Sequence, residues 1–181
     1  MNGTPTIIDR AAHRRNRKRA AHALENFDFL IENAANDIED RLDDIVKPFA
    51  KILDLGCHTG ALGRRLIKRP TTELLVSSDF SNAMVESAPG LRIGADEELL
   101  PIADGALDLI VSCLTLHWVN DLPGCLIQAR RALKPDGFFL AAMFGGATLR
   151  ELRESFLSAE DEIEGGASPR GCLASVPSLS P

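Results

Sequence analysis

The chain has 181 residues, 45% apolar and 25% charged, with four cysteines and a net charge of −6, which is the make-up of one ordinary globular domain with enough chain for a core. Its longest uncharged apolar run, Leu109–Leu116, has eight residues with Ser112 and Thr115 inside it, and a membrane-spanning helix needs about 20. The acidic balance argues against a general nucleic-acid binder, and Cys57, Cys113, Cys125 and Cys172, which form no C-x-x-C pair, read as free thiols of a reducing compartment.

The charge is uneven. Residues 1–20 hold Arg10, Arg14, Arg15, Arg17, Lys18 and Arg19 against Asp9, a local +5 that leaves −11 for the rest. Such a block reads as a solvated helix face, a basic arm for a partner or nucleic acid, or a mitochondrial transit segment. The solvated face is the leading expectation, because charge blocks seldom identify a ligand. No apolar stretch precedes a small-residue cleavage site, so export is not expected.

From Ile8 to Val46 there is no proline or glycine, and Leu24, Phe27, Leu30, Ile31, Ala34, Ala35, Ile38 and Leu42 recur at steps of three and four. That spacing predicts one or two amphipathic helices ending near Pro48. Short β-prone runs then alternate with helical ones. Strands are expected at 51–55, 74–79, 91–95, 107–114 and 138–144, and helices at 61–68, 83–88, 123–133 and 149–163, with a tight turn at Lys134-Pro135-Asp136-Gly137. The fourth run is apolar almost throughout, as in a strand buried on both faces. This alternation implies a parallel sheet covered by helices. From Gly165 the chain turns Gly-, Ser- and Pro-rich and reads as a loose tail. The expected division is a helical extension over 1–48, a core over 49–164 and a tail over 165–181.

The first strand runs into Asp54-Leu55-Gly56-Cys57-His58-Thr59-Gly60, directly before a helix. A glycine turn at a strand's carboxyl end lets backbone approach a ligand and aims helix amides at it. Alone it is a weak signal, since many ligand-free α/β loops share it. The second strand ends at Asp79, nineteen residues after Gly60, where nucleotide-binding folds place an acid for the ribose hydroxyls. The plainer role for Asp79 is a helix cap, which Ser81 could fill instead.

The segment Asp79-Phe80-Ser81-Asn82-Ala83-Met84, ending at Ala88, resembles the D-x-S-x-x-M-x-x-x-A block of class I S-adenosylmethionine (SAM)-dependent methyltransferases. Gly94–Ile102, the stretch Asp104–Ser112 and Arg131–Phe138 resemble their following blocks in order. A closer similarity is to the methyltransferase-like assembly factors of respiratory complex I and their bacterial relatives, through Leu116-His117-Trp118-Val119-Asn120-Asp121-Leu122-Pro123, Met143-Phe144-Gly145-Gly146 and Gly165–Arg170. Malonyl-carrier-protein methyltransferases of biotin synthesis share the core and match these flanks less well.

The resemblance implies an α/β fold with a Rossmann-like doubly wound sheet, mainly parallel, with five strands visible and an N-terminal helical extension. It implies SAM as cofactor: Asp54 near its methionine part, Gly56, Cys57, His58 and Gly60 lining it, Asp79 at the ribose, and Phe80 against the adenine. Asp96 with Glu97 falls at the adenine amino group, and Ser112 to Leu114 close the other side. His117 stands where a proton could be taken from the acceptor, and Trp118 where the substrate would meet the methyl group; the plainer reading of both is a packed loop. No metal site is expected from His13, His22, His58 and His117. The implied activity is methyl transfer to an unidentified acceptor, a protein such as a complex I subunit among the candidates. The alternatives are an assembly factor or subunit hydroxylase, or an inactive truncated fragment. The implied setting is bacterial cytoplasm, or the mitochondrial matrix in a eukaryote.

Two departures stand out. His58 replaces the usual middle glycine, so strain is expected there if φ is positive, with its ring crowding the cofactor. The family continues after the Ser-Pro-Arg block with further helix and two antiparallel strands that nothing after Arg170 resembles. The expectation is a chain cut short, with an exposed edge at 138–144.

Overall fold

The computed structural model describes residues 6–24 and 28–165. Phe27, Cys172 and the stretch from Gly166 onward lie outside the described residues. Two helices precede the sheet. α1 (Arg10–Ala20) starts at Asp9, whose carboxylate accepts the Ala12 N–H at 2.9 Å, satisfying one of the free amides of the first turn. α2 (Phe29–Asp43) buries Ala35, Ile38 and Leu42, spaced three and four apart on one face.

The sheet strands are β1 (Lys51–Leu55), β2 (Leu74–Asp79), β3 (Leu91–Gly94), β4 (Leu107–Cys113) and β5 (Leu133–Ala142), in spatial order β3-β2-β1-β4-β5. All four pairings are parallel. The connections carry α3 (Gly63–Leu66), α4 (Asn82–Val85) and α5 (Leu122–Ala132). Strand alternation sorts the core into two layers. Ile52, Leu75, Leu109 and Val111 pack with α2 on one face. Leu53, Leu55, Val76 and Ile110 pack with Cys125, Ala129 and Ala132 of α5 on the other. Each such buried aliphatic side chain contributes about 1.5–3 kcal/mol.

Leu107 belongs to the α5 layer although Leu109 belongs to the α2 layer. At the same place the β4–β5 register is irregular: Leu107 pairs Leu133, then Leu109 pairs Phe138, with a shift between them. The residues 134–137, expected as a tight turn closing the preceding helix, instead bow out as an irregular start of β5. A bulge takes up the extra residues without ending the strand. α3 and α4 are also shorter than expected. Around α3, i→i−3 bonds such as Arg65 N–H to Leu62 O and Lys68 N–H to Arg65 O replace regular helix bonds. Beyond α4, Pro89 prevents continuation from Ala88.

Residues 6–143 fall in one compact unit and those from Phe144 in a second. The second holds α6 (Arg150–Glu164), which ends at Gly165 in the left-handed conformation, φ 71°, its N–H bonded to Asp161 O. Among the described residues no helix is long and apolar enough to cross a membrane.

Candidate functional site at the strand ends

The carboxyl ends of β1, β2, β3 and β4 converge because the four strands are parallel and adjacent. The turn after β1 hangs from the end of β2: the Gly56 and Cys57 amides both donate to Ser78 O at 2.8 Å. Gly56 has φ 72°, and a Cβ there would stand 2.2 Å from Thr115 Cγ2, so only glycine lets this turn close on the loop after β4. His58 is itself left-handed, with φ 52°. Its ring is buried, and Nε2 lies 2.9 Å from Cys113 O and 3.2 Å from Thr115 Oγ1. A carbonyl can only accept, so Nε2 carries the proton. Burial, then the Arg17 charge, push this histidine down to about 4, so the ring is neutral and acts as a tie between two loops.

Asp79 is wholly buried and completely partnered. Oδ1 accepts from Ser81 N–H at 2.8 Å and from Arg17 Nε at 3.2 Å. Oδ2 accepts from His58 N–H at 3.0 Å and from Arg17 Nη2. The N-cap of α4 is Ser81, without a side-chain cap bond, so this carboxylate holds the two loops and the Arg17 guanidinium rather than capping the helix. Asp54 is equally buried, yet neither of its oxygens has a hydrogen-bond partner of good geometry. Burial, with the nearby Asp79 charge, pushes it up to about 7; the Gly63 amide opposes this in part.

Beyond β3, Asp96 Oδ1 accepts from Glu98 N–H at 3.0 Å and from Arg10 Nη2, and that same Nη2 donates to Glu97 Oε2 at 2.7 Å. Burial raises the Glu97 pKa, offset in part by the Arg10 hydrogen bond. Phe80 lies under two cations: the guanidinium carbons of Arg10 and Arg14 are each 4.0 Å from its ring centroid. A cleft of about 460 Å³ opens beside Phe80, between Arg14 and Lys18 of α1 and Asn82, Gly94 and Asp96.

Of the remaining candidates, Ser112 sits inside the sheet with its hydroxyl on Leu55 O at 2.8 Å. Leu114 is left-handed at φ 50° and packs against the α2 layer. Cys57 is buried, and burial pushes its thiol well up. His117 and Trp118 stand in the 3₁₀ turn Leu116–Trp118, ring centroids 5.3 Å apart. Burial and the Arg17 charge lower the His117 pKa.

The residues that sequence reasoning missed are on α1. Arg10, His13 and Arg17 turn inward with Arg14 at their edge, while Arg14, Arg15, Lys18 and Arg19 stay exposed, so the basic block is solvated on one side only. His13 stacks on Trp118 at 4.6 Å, and burial followed by the charges of Arg17 and Arg10 drives its pKa to about 4. Their i, i+3, i+4, i+7 spacing was a readable signal for one shared face.

The strand order, the glycine turn after β1 and the acid ending β2 define a class I SAM-dependent methyltransferase domain, and the chain belongs to that family. The family described as "Methyltransferase domain" matches residues 53–141. The chain is 44% identical over 172 residues to "Arginine-hydroxylase NDUFAF5, mitochondrial" of Homo sapiens, covering 92% of this chain and 50% of that protein. It is 30% identical over 169 residues to a malonyl-[acyl-carrier protein] O-methyltransferase of Gallionella capsiferriformans, covering 86% of this chain and 58% of the relative. The chain thus spans about half the length of the curated relatives it matches. A solved SAM-dependent methyltransferase of Thermotoga maritima, a possible histamine N-methyltransferase, shares the fold, with a TM-score of 0.61 at 19% identity over 78% of this chain and 67% of that one.

Proposed function

We propose that this chain binds SAM across the carboxyl ends of β1 to β4 and serves methyl transfer to a protein acceptor. The observation that carries the reading is Asp54. A wholly buried carboxylate without a hydrogen-bond partner is costly, and one beside a glycine turn suits an amino-acid ammonium, which has three donors to offer. Asp79 matches a ribose diol, Asp96 with Glu97 matches an exocyclic amine, and Phe80 offers a ring to a base. When bound, the cofactor supplies a methyl group on a positively charged sulfur, already activated for transfer. The chain's task is to orient the acceptor and exclude water. His117, whose pKa burial and the Arg17 charge lower, would take the acceptor's proton from the loop after β4.

The test is calorimetry with S-adenosylhomocysteine on the full chain and on Asp54→Asn. Asp54 makes no good internal hydrogen bond, so the variant keeps the fold and should bind at least about tenfold more weakly. Equal affinity in both would remove the ammonium assignment, and no binding in either would remove the cofactor reading. His117→Ala should lose turnover and keep affinity.

A second reading rests on the identity of 43–44% to the arginine-hydroxylases over nine-tenths of this chain. In it the chain acts on a protein arginine during assembly of a larger complex, a complex I subunit by the family resemblance. The mitochondrial relatives support a matrix location in a eukaryotic host. Mass spectrometry of candidate subunits separates the two readings, by a methyl increment or an oxygen increment on the modified residue.

A further inference from the structure

We infer that α1 is a cationic plug of the cofactor site, so that docked α1 and a bound adenosyl group exclude each other at Asp79 and at Asp96 with Glu97. This rests on the cofactor reading proposed above and adds what regulates that site.

The argument is one of valence. A carboxylate has about four lone-pair positions. On Asp79 they are taken by Ser81 N–H, His58 N–H and the two arms of the Arg17 guanidinium. The first two are backbone bonds that shape the loops. A ribose diol therefore finds an acceptor only after Arg17 leaves. Beyond β3 the competition is for place: one Arg10 nitrogen bridges Asp96 Oδ1 and Glu97 Oε2, the position between the pair that an exocyclic amine would take. At Phe80, two guanidinium groups already sit 4.0 Å from the ring centroid, about the distance at which a base would stack.

A lid behaves differently. It closes over a ligand and touches the ligand's outer side, whereas α1 takes the partners that the ligand itself would use. Three independent contacts, at Asp79, at Phe80 and at Asp96–Glu97, place α1 in this way, and all come from one helix face at i, i+4 and i+7. The apparent affinity for cofactor is then the intrinsic affinity reduced by the undocked fraction.

The chain carries its own reporter. Trp118 is its single tryptophan and stacks on His13 of α1 at 4.6 Å. Titrating the unmodified chain with S-adenosylhomocysteine should change Trp118 emission and speed amide exchange over residues 10–20. Arg10→Gln and Arg17→Gln should each bind S-adenosylhomocysteine about tenfold tighter, the ratio expected if α1 is undocked about a tenth of the time. Should Arg17→Gln fail to fold, Arg10→Gln and the exchange measurement on the unmodified chain decide the matter. Unchanged or weaker binding by the variants, with α1 amides more protected when ligand is present, would make α1 a lid and overturn the plug. No binding of S-adenosylhomocysteine by any variant, while the exchange of α1 in Arg17→Gln shows it released, would overturn both the plug and the cofactor reading.

Discussion

The ends of β1 and β2 carry the same chemical group in nearly the same place and treat it in opposite ways. Asp54 and Asp79 are both wholly buried on adjacent parallel strands. Asp79 is surrounded by two loop amides and a guanidinium, while Asp54 meets no comparable donor. The difference is one of timing along the chain. The residues next to Asp79 turn their amides back onto it, and α1 brings a cation from 62 residues away. The Gly56 and Cys57 amides that follow Asp54 are spent on Ser78 O instead. One acid is satisfied within the fold, and the other has no internal partner of good geometry.

Substitution should make this contrast measurable, with the largest effect at Asp79. Asp79→Ala leaves Arg17 buried without its partner and frees two loop amides, so chemical denaturation should show a loss of about 3–5 kcal/mol. His58→Gly comes next. Glycine relieves the left-handed strain, about 1–2 kcal/mol, but it removes a buried ring and its bond to Cys113 O. A net loss of about 1–2 kcal/mol is expected in the same assay. A gain in stability would mean that the ring contributes less than the strain. The family's glycine implies relief of strain alone, whereas the ring held between two loops adds a cost to its removal.

Asp54→Asn should be nearly silent below about pH 4 and increasingly stabilising as pH rises to about 7, with a constant gain above it. Its folded pKa of about 7 lies above the unfolded value of about 3.9. The stabilisation linked to this proton is present below about pH 4 and is lost as pH rises toward 7. His13 and His58 work the other way: their folded values of about 4 lie below the unfolded value of about 6.5. Their contribution is complete above pH 6.5 and is lost on acidification toward pH 4. Two histidines outweigh one carboxyl, so the unmodified chain should lose stability from pH 6.5 to 4, and Asp54→Asn should lose it more steeply. Parallel pH curves for the two proteins would show that Asp54 does not titrate in this window. The smallest effect is kinetic. Arg14→Gln removes one of two cations over Phe80 without touching a carboxylate, and its amide exchange over residues 10–20 should quicken less than in Arg17→Gln.

Much of this architecture is legible without coordinates. The period-2 and period-3.6 patterns place all five strands and the helices between them, and apolar β4 is buried along its whole length. The positions of Asp54, Asp79 and Asp96 at strand ends follow from the same alternation, because parallel strands must bring their carboxyl ends to one side. The irregular start of β5 was hidden, since Lys-Pro-Asp-Gly favours a turn locally and only pairing with β4 holds it in the strand. His58 was readable as a departure, but its φ depended on the loop after β4 meeting its ring.

What the sequence determined by itself is therefore local: which segments are strands, which are helices, and which acids stand at their ends. It also determined that Arg10, His13, Arg14 and Arg17 share one helix face, since helical geometry alone sets that spacing. Which surface the face meets was decided only by the tertiary structure. The partners of Arg17 and Arg10 lie 62 and 86 residues away, and a charge block reads the same whether it faces solvent or a buried carboxylate. Burial settles the difference. Desolvated charges must be paired, and the fold gathers Asp79, Asp96 and Glu97 at the strand ends within reach of Arg17 and Arg10.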